Sequence, residues 1–342
     1  MSPQPSREHL PALDGFRALS ILAVLAAHML PLGPNAWQLN LTFAYMGMSV
    51  FFALSGFLIT QFLWTNQNIK VFLIRRFARI APLLLLVSFL YAVLLEGRLD
   101  GFLAVNLYVL NYWHSASLPS ISPLWSLSLE MHFYLGIALC VGILGRAGFW
   151  LVPVVAVVVT GLQINTGTFG AIATHLRVDE ILSGVMLAIL WIERERPVVQ
   201  RLFSVLRYLF WLLLVLWVLS SWPGSQGLGY ARAYLAAAMI GSVLSTPSGC
   251  WQQRVLAHGV LRYIATISFA LYVWHSPFRL YWFDSGTDLE RYLFKRPLAF
   301  ISILVLAHVS TFWFEKPITG AARRLTQRFR TREEMVEIRT SR

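Results

Sequence analysis

Apolar stretches long enough to cross a bilayer recur from Leu10 to Phe314, and this recurrence leaves the chain few ways to fold. Within lipid each crossing segment must satisfy its backbone internally, as a helix does. Apolar residues make up 57% of the 342 and charged residues 13%, with a mean hydropathy of +0.62. Together these imply an all-α fold, a polytopic transmembrane helical bundle, and exclude a set of soluble domains. The runs predict about ten spans, near 11–31, 42–64, 72–95, 124–145, 148–164, 178–193, 206–222, 231–247, 262–284 and 297–315. Gly101–His114 is apolar but too short for a crossing and reads as a re-entrant or interfacial segment.

An even number of crossings puts both termini on one side. Lys70, Arg75, Arg76, Arg79, Arg194, Arg196, Arg201, Arg207 and Arg254 fall on that side, with Arg323, Arg324, Arg328 and Arg330 of the tail. The opposite loops Pro31–Asn40 and Ser221–Gly229 carry no charge. This asymmetry predicts cytoplasmic termini. It also accounts for the net charge of +12 without nucleic acid, for which no motif is present. Residues 1–318 form the expected transmembrane domain, and 319–342 a basic cytoplasmic tail lying on the anionic inner leaflet. Leu19–Ala27 has the length of a signal-peptide core, but Glu8, Asp14 and Arg17 do not suit its flank, so the first helix is expected to be retained. Trp64, Trp150, Trp191, Trp222 and Trp251 at span ends read as an aromatic belt. Cys140 and Cys250 have neither disulfide nor metal spacing, and no metal site is expected.

Against this background the polar residues inside apolar runs stand out, because ionisable groups in lipid normally line a polar path. Arg17 and His28 are eleven residues apart in the first run, so a helix returns them to one face, about 16 Å apart. Arg75, Arg76 and Arg79 stand at the mouth of the third span, where guanidiniums suit a phosphate-rich ligand or simply anchor the helix. Glu130 lies in Pro123–Tyr134 with Ser126 and Tyr134 one turn away on its face. It could polarise a catalytic histidine or brace two helices. Arg177 and Glu180 have the spacing of a local ion pair, and Gly184 suggests close helix contact. Tyr272 and His275 share a face beside Pro277, which must disturb its helix. Glu315 reads as the stop of the final span.

In order along the chain, these segments resemble the acyltransferase-3 family of integral membrane acyltransferases. The resemblance is carried by Gly15-Phe16-Arg17-Ala18-Leu19 with His28, Phe51–Thr60, the Arg76–Arg79 pair, Trp125–Glu130, Ile267–Pro277 and Glu315-Lys316-Pro317. Met131-His132 departs from the pattern, since many relatives carry a further Glu and a Gln or Lys there. The resemblance implies a bacterial inner-membrane enzyme that moves an acyl group, often acetyl, from cytosolic acyl-CoA to a hydroxyl. The acceptor would be a surface glycan, a lipid-linked sugar or a similar molecule. It implies that Arg17, His28, Arg76 and Arg79 are required for activity and makes Glu130 the acid of its motif.

On this reading His28, Glu130 and Arg17 are catalytic, with His28 as general base, and Arg75, Arg76 and Arg79 hold the CoA phosphates. Tyr134, Tyr272 and His275 are candidate substrate contacts. Acyl-CoA is a donor substrate, and no permanently bound cofactor is expected. Some relatives append an extracytoplasmic esterase-like SGNH domain; this chain is expected to act without one, alone or with a separate partner. The alternative is a secondary transporter or flippase for a glycan or lipid precursor. Such proteins carry inverted repeats with paired broken helices, which are not visible here.

Overall fold

The computed structural model describes residues 10–340 except Ser248; among them there is no strand, and 81% are helical. Glu8 and the side chains of Arg328 and Arg330 lie outside the described residues. The first half holds α1 (Pro11–Met29), α2 (Leu39–Thr65), α3 (Ile69–Ser88), α4 (Leu99–Asn106), α5 (Trp125–Leu144) and α6 (Val152–Thr166). The second holds α7 (Asp179–Ile192), α8 (Pro197–Leu206), α9 (Phe210–Ser221), α10 (Gln226–Gly229) and α11 (Arg232–Leu244). After them come α12 (Trp251–Leu256), α13 (Gly259–Trp274), α14 (Asp288–Glu290), α15 (Arg296–Val309) and α16 (Lys316–Thr340).

Five helical stretches have the length and apolarity to cross a membrane: Pro11–Met29, Asn35–Thr65, Ile69–Leu95, Ser122–Thr166 and Asp288–Gln327. The pair α8 and α9, bent by 77°, would make a sixth. Length and apolarity thus mark five or six crossings where the sequence runs suggest ten. Three expected crossings are short helices: α7 with 14 residues, α11 with 13 and α13 with 16. The span expected at 262–284 stops at Trp274, and 3-10 turns follow over Ser276–Arg279 and Tyr281–Asp284. Pro277 lacks the N–H that would continue the helix, so the chain turns there. Gly101–His114 is a short helical segment with turns, as its length requires. Gly145 ends α5 at φ +57°, a left-handed conformation that favours glycine, and a 3-10 stretch leads on to α6.

The chain divides into two compact units, one of residues up to Leu58 with Glu180–Ser268, the other of Ile59–Asp179 with residues from Phe269 on. In the first unit α1 and α2 are joined by a polar clasp. Asn40 Nδ2 donates to the carbonyls of Ala27 and Leu30 at 2.6 Å, satisfying acceptors left over at the end of α1. Ser20 Oγ donates to Gly47 O at 2.7 Å. Where α2 crosses α7, Gly56 lies on the Ile181 carbonyl and Gly184 on the Ala53 carbonyl, so close that a Cβ on either would overlap backbone. Beside this crossing Glu180 is held by Arg232 of α11, 52 residues further on, with both Nε and Nη2 at 2.9 Å. The Tyr45 ring covers that guanidinium at 4.6 Å. The local Arg177–Glu180 spacing gave no sign of this partner, which only the packing of α7 on α11 supplies.

In the second unit Asn68 caps α3 by accepting from Val71 N at 3.0 Å. The helix then widens into a π-helical stretch, Phe89–Leu95. The last span carries another, Ser310–Glu315, and continues through Pro317 into α16. The expected boundary between residues 318 and 319 therefore falls inside a continuous helix. α16 lies antiparallel along α3: Arg79 faces Glu315 electrostatically, and Arg75 Nε donates to Thr326 Oγ1 at 2.9 Å.

Candidate functional site

The second unit brings polar side chains of α3, α5, α13 and the π-helical stretch into one place. Arg76 and Arg79, three residues apart, share a face of α3 and are half-buried. The Arg76 guanidinium lies 5.7 Å from the ring centres of both Phe72 and Tyr134, and that of Arg79 lies 5.9 Å from Phe269. Among the described residues neither guanidinium makes a hydrogen bond or a close ion pair; aromatic faces flank both, and Arg79 also faces the Glu315 carboxylate. Such contacts fix a cation in position and leave its N–H fork available to an oxyanion. Arg75 is used differently, since its Nε is tied to Thr326 and its charge lies over Phe62 at 5.9 Å. The structure thus separates Arg75 from the pair with which sequence spacing groups it.

Glu130 is 5% exposed and accepts a short hydrogen bond from Tyr134, one turn further along α5. The i,i+4 spacing that placed them on one face is realised. Tyr272 donates to the Pro123 carbonyl at the start of α5. Its single proton being so used, the hydroxyl accepts from Ser126 Oγ at 2.6 Å. His275 is fully buried, with Nδ1 2.6 Å from the Tyr272 carbonyl. A carbonyl only accepts, so in the neutral ring the proton sits on Nδ1 and Nε2 is the basic nitrogen.

Glu315 overturns its reading as a helix stop. It is 7% exposed, accepts from Thr311 Oγ1 at 3.2 Å and faces the charge of Arg79. It is a second carboxylate of this site, and the signal was the Thr311–Glu315 spacing inside an apolar run. His132, where the family pattern is broken, lies outside the cluster. Its Nδ1 is 2.7 Å from Thr174 Oγ1 and its ring bonds the Tyr108 carbonyl, which fastens two loops to α5.

Arg17 and His28 belong to the first unit. α1 is unbroken between them, so the shared face expected from their spacing holds. Both are half-buried, and His28 sits in the last turn beside the Asn40 clasp. An apolar cavity of about 530 Å³ in the same unit is lined by residues that include Phe16, Leu22, Met46, Trp217 and Trp251, and by neither Arg17 nor His28. No group of three or more metal-ligating side chains occurs among the described residues.

The described residues form a helical bundle with apolar spans that gathers arginines, carboxylates, tyrosines and a histidine between its helices. The family model described as an acyltransferase domain matches residues 10–316, and the chain belongs to this acyltransferase family. It is 27% identical over 366 residues to the peptidoglycan O-acetyltransferase OatA of Listeria monocytogenes, covering 92% of this chain and 56% of the relative. It is 28% identical over 359 residues to YrhL of Bacillus subtilis, by name a provisional peptidoglycan O-acetyltransferase, covering 91% and 55%. The chain spans about half the length of these relatives. No solved structure matches it.

Proposed function

We propose that this chain is an O-acyltransferase of the bacterial cytoplasmic membrane, taking an acetyl group from cytosolic acyl-CoA to a hydroxyl of a surface glycan such as peptidoglycan. The observation that carries the reading is the Arg76–Arg79 pair. Two half-buried guanidiniums flanked by rings, without a hydrogen bond or close ion pair among the described residues, suit the phosphates of a CoA donor. Bound there, the donor has Glu130–Tyr134 and Tyr272–Ser126 as neighbours, whose mutual hydrogen bonds keep their positions fixed before substrate arrives. His28 takes the proton of the acceptor hydroxyl as that oxygen attacks the thioester carbonyl, and the CoA thiolate leaves. The relatives named for peptidoglycan O-acetylation support the acceptor class. The arginine-rich start of α3 and the tail would face the cytosol, where acyl-CoA is made.

The test uses purified protein in liposomes with radiolabelled acetyl-CoA and soluble peptidoglycan strands. Label should appear as base-labile ester on the glycan with the wild type and fall at least about a hundredfold in His28→Ala, the lower end of general-base contributions. Hydrolysis of acetyl-CoA with no label on any hydroxyl acceptor, or full transfer by His28→Ala, would refute the assignment.

A further inference from the structure

The turns between α13 and α15 carry a second basic cluster, in the same unit but at the other end of α3. Tyr281 donates to Glu96 Oε1 at 2.5 Å, and Glu96 follows Arg76 by twenty residues, roughly 30 Å along a helix. Three arginines meet here. Arg296, 7% exposed, contacts Asp284 at 2.8 Å; Arg291 contacts Asp284 and Asp288, each at 3.6 Å. Arg279 has no carboxylate partner among the described residues, and its Nη2 reaches only the Pro119 carbonyl at 3.5 Å. The Nε atoms of all three are buried without a hydrogen-bond partner.

The other nearby charges are engaged elsewhere. Lys295 Nζ donates to Ser285 O and Oγ, and Glu290 closes a capping box with Thr287. Asp288 is 86% exposed. Asp284 is therefore the one carboxylate set among three guanidiniums: it sits closest to Arg296, the most buried of them, and Arg279 is left without a carboxylate contact among the described residues. Burial and the neighbouring Arg296 pull the pKa of Arg279 below the usual guanidinium value, and Asp284 only partly opposes them. Donors so placed are costly unless an acceptor completes them. Orientation gives no reason for them, since in the proposed topology this end is extracytoplasmic, the side the positive-inside rule does not favour for arginines.

We propose that Arg279, Arg291 and Arg296 bind an oxyanion, carboxylate or phosphate, carried by the glycan acceptor. This deepens the O-acyltransferase reading and rests on it for the identity of the glycan. The site would draw an acidic sugar chain to the face where its hydroxyl is acylated, and would disfavour a neutral one.

The matched probes are the disaccharide of N-acetylglucosamine and N-acetylmuramic acid, which bears a lactyl carboxylate, and chitobiose, which lacks it. Binding is measured calorimetrically on the full chain in phosphatidylcholine nanodiscs, with no donor present, so a failure of acyl transfer and a failure of this site are told apart. The acidic disaccharide should bind at least about tenfold tighter than chitobiose, weaken with salt, and lose about tenfold or more in Arg279→Gln. Arg279→Lys should restore part of the loss. Arg279 is chosen because its removal strands no carboxylate. Equal affinity for the two sugars, or unchanged binding by Arg279→Gln, would overturn the proposal. So would suppression of binding when phosphatidylglycerol replaces phosphatidylcholine, which would assign the cluster to a lipid headgroup.

Discussion

Replacing Arg232 by methionine should destabilise the first unit far more than replacing Arg232 and Glu180 together. Arg232 and Glu180 are 4% and 2% exposed and bonded at 2.9 Å through two guanidinium nitrogens. Removing the arginine leaves a carboxylate where water cannot reach it, at a cost of about 3–5 kcal/mol. The lost contact with the Tyr45 ring adds roughly 0.5–2 kcal/mol. At about 2–4 °C per kcal/mol, the melting temperature should fall by roughly 10 °C or more. In Glu180→Met/Arg232→Met both charges are gone and the volume is kept, so most of the loss should be recovered. The assay is thermal unfolding of detergent-solubilised protein followed by tryptophan fluorescence. A single variant that melts like the wild type, or a double variant no more stable than the single, would refute the claim that an uncompensated buried charge is what fails.

Two further outcomes concern donor and orientation. Arg76→Ala and Arg79→Ala should each raise the KM for acetyl-CoA by about tenfold or more through loss of a charge-assisted phosphate contact, with lysine rescuing poorly; unchanged donor kinetics in both would reduce the pair to membrane anchoring. A cysteine at Asn35 should react with an impermeant thiol reagent on intact spheroplasts, and one at Gln327 only after lysis; equal labelling of both from outside would refute the proposed orientation.

Much of the candidate site was legible because it is local. Glu130 and Tyr134, Tyr272 and His275, and Arg76 and Arg79 are each three or four residues apart, and helical periodicity alone puts such pairs on one face. What stayed hidden depends on which helix lies against which. Arg232 gives no hint in the sequence that it holds Glu180, because the partner sits on a helix 52 residues away. Arg75 cannot be told from Arg76 until α16 lies along α3 and Thr326 takes its Nε. Glu315 looked like a terminus because a charged residue followed by Lys316-Pro317 suggests the end of a span; here the helix runs on, and Pro317, which cannot donate to the turn before it, directly follows the widened π-helical turn Ser310–Glu315. Length and apolarity mark five or six crossings, and some of the other apolar runs form shorter helices such as α11.

The widened turn at Ser310–Glu315 has a consequence for how this chain tolerates insertion and deletion. Each residue added to a helix rotates everything beyond it by about 100°. Glu315 and Thr326 are eleven residues apart, nearly in phase, and both meet α3, one at Arg79 and the other at Arg75. The extra residue in the wide turn thus sets the azimuth of all of α16. Deleting one residue from 310–315 would leave hydropathy and charge almost untouched, yet swing Thr326 away from Arg75. In this stretch the number of residues carries information that their identities do not.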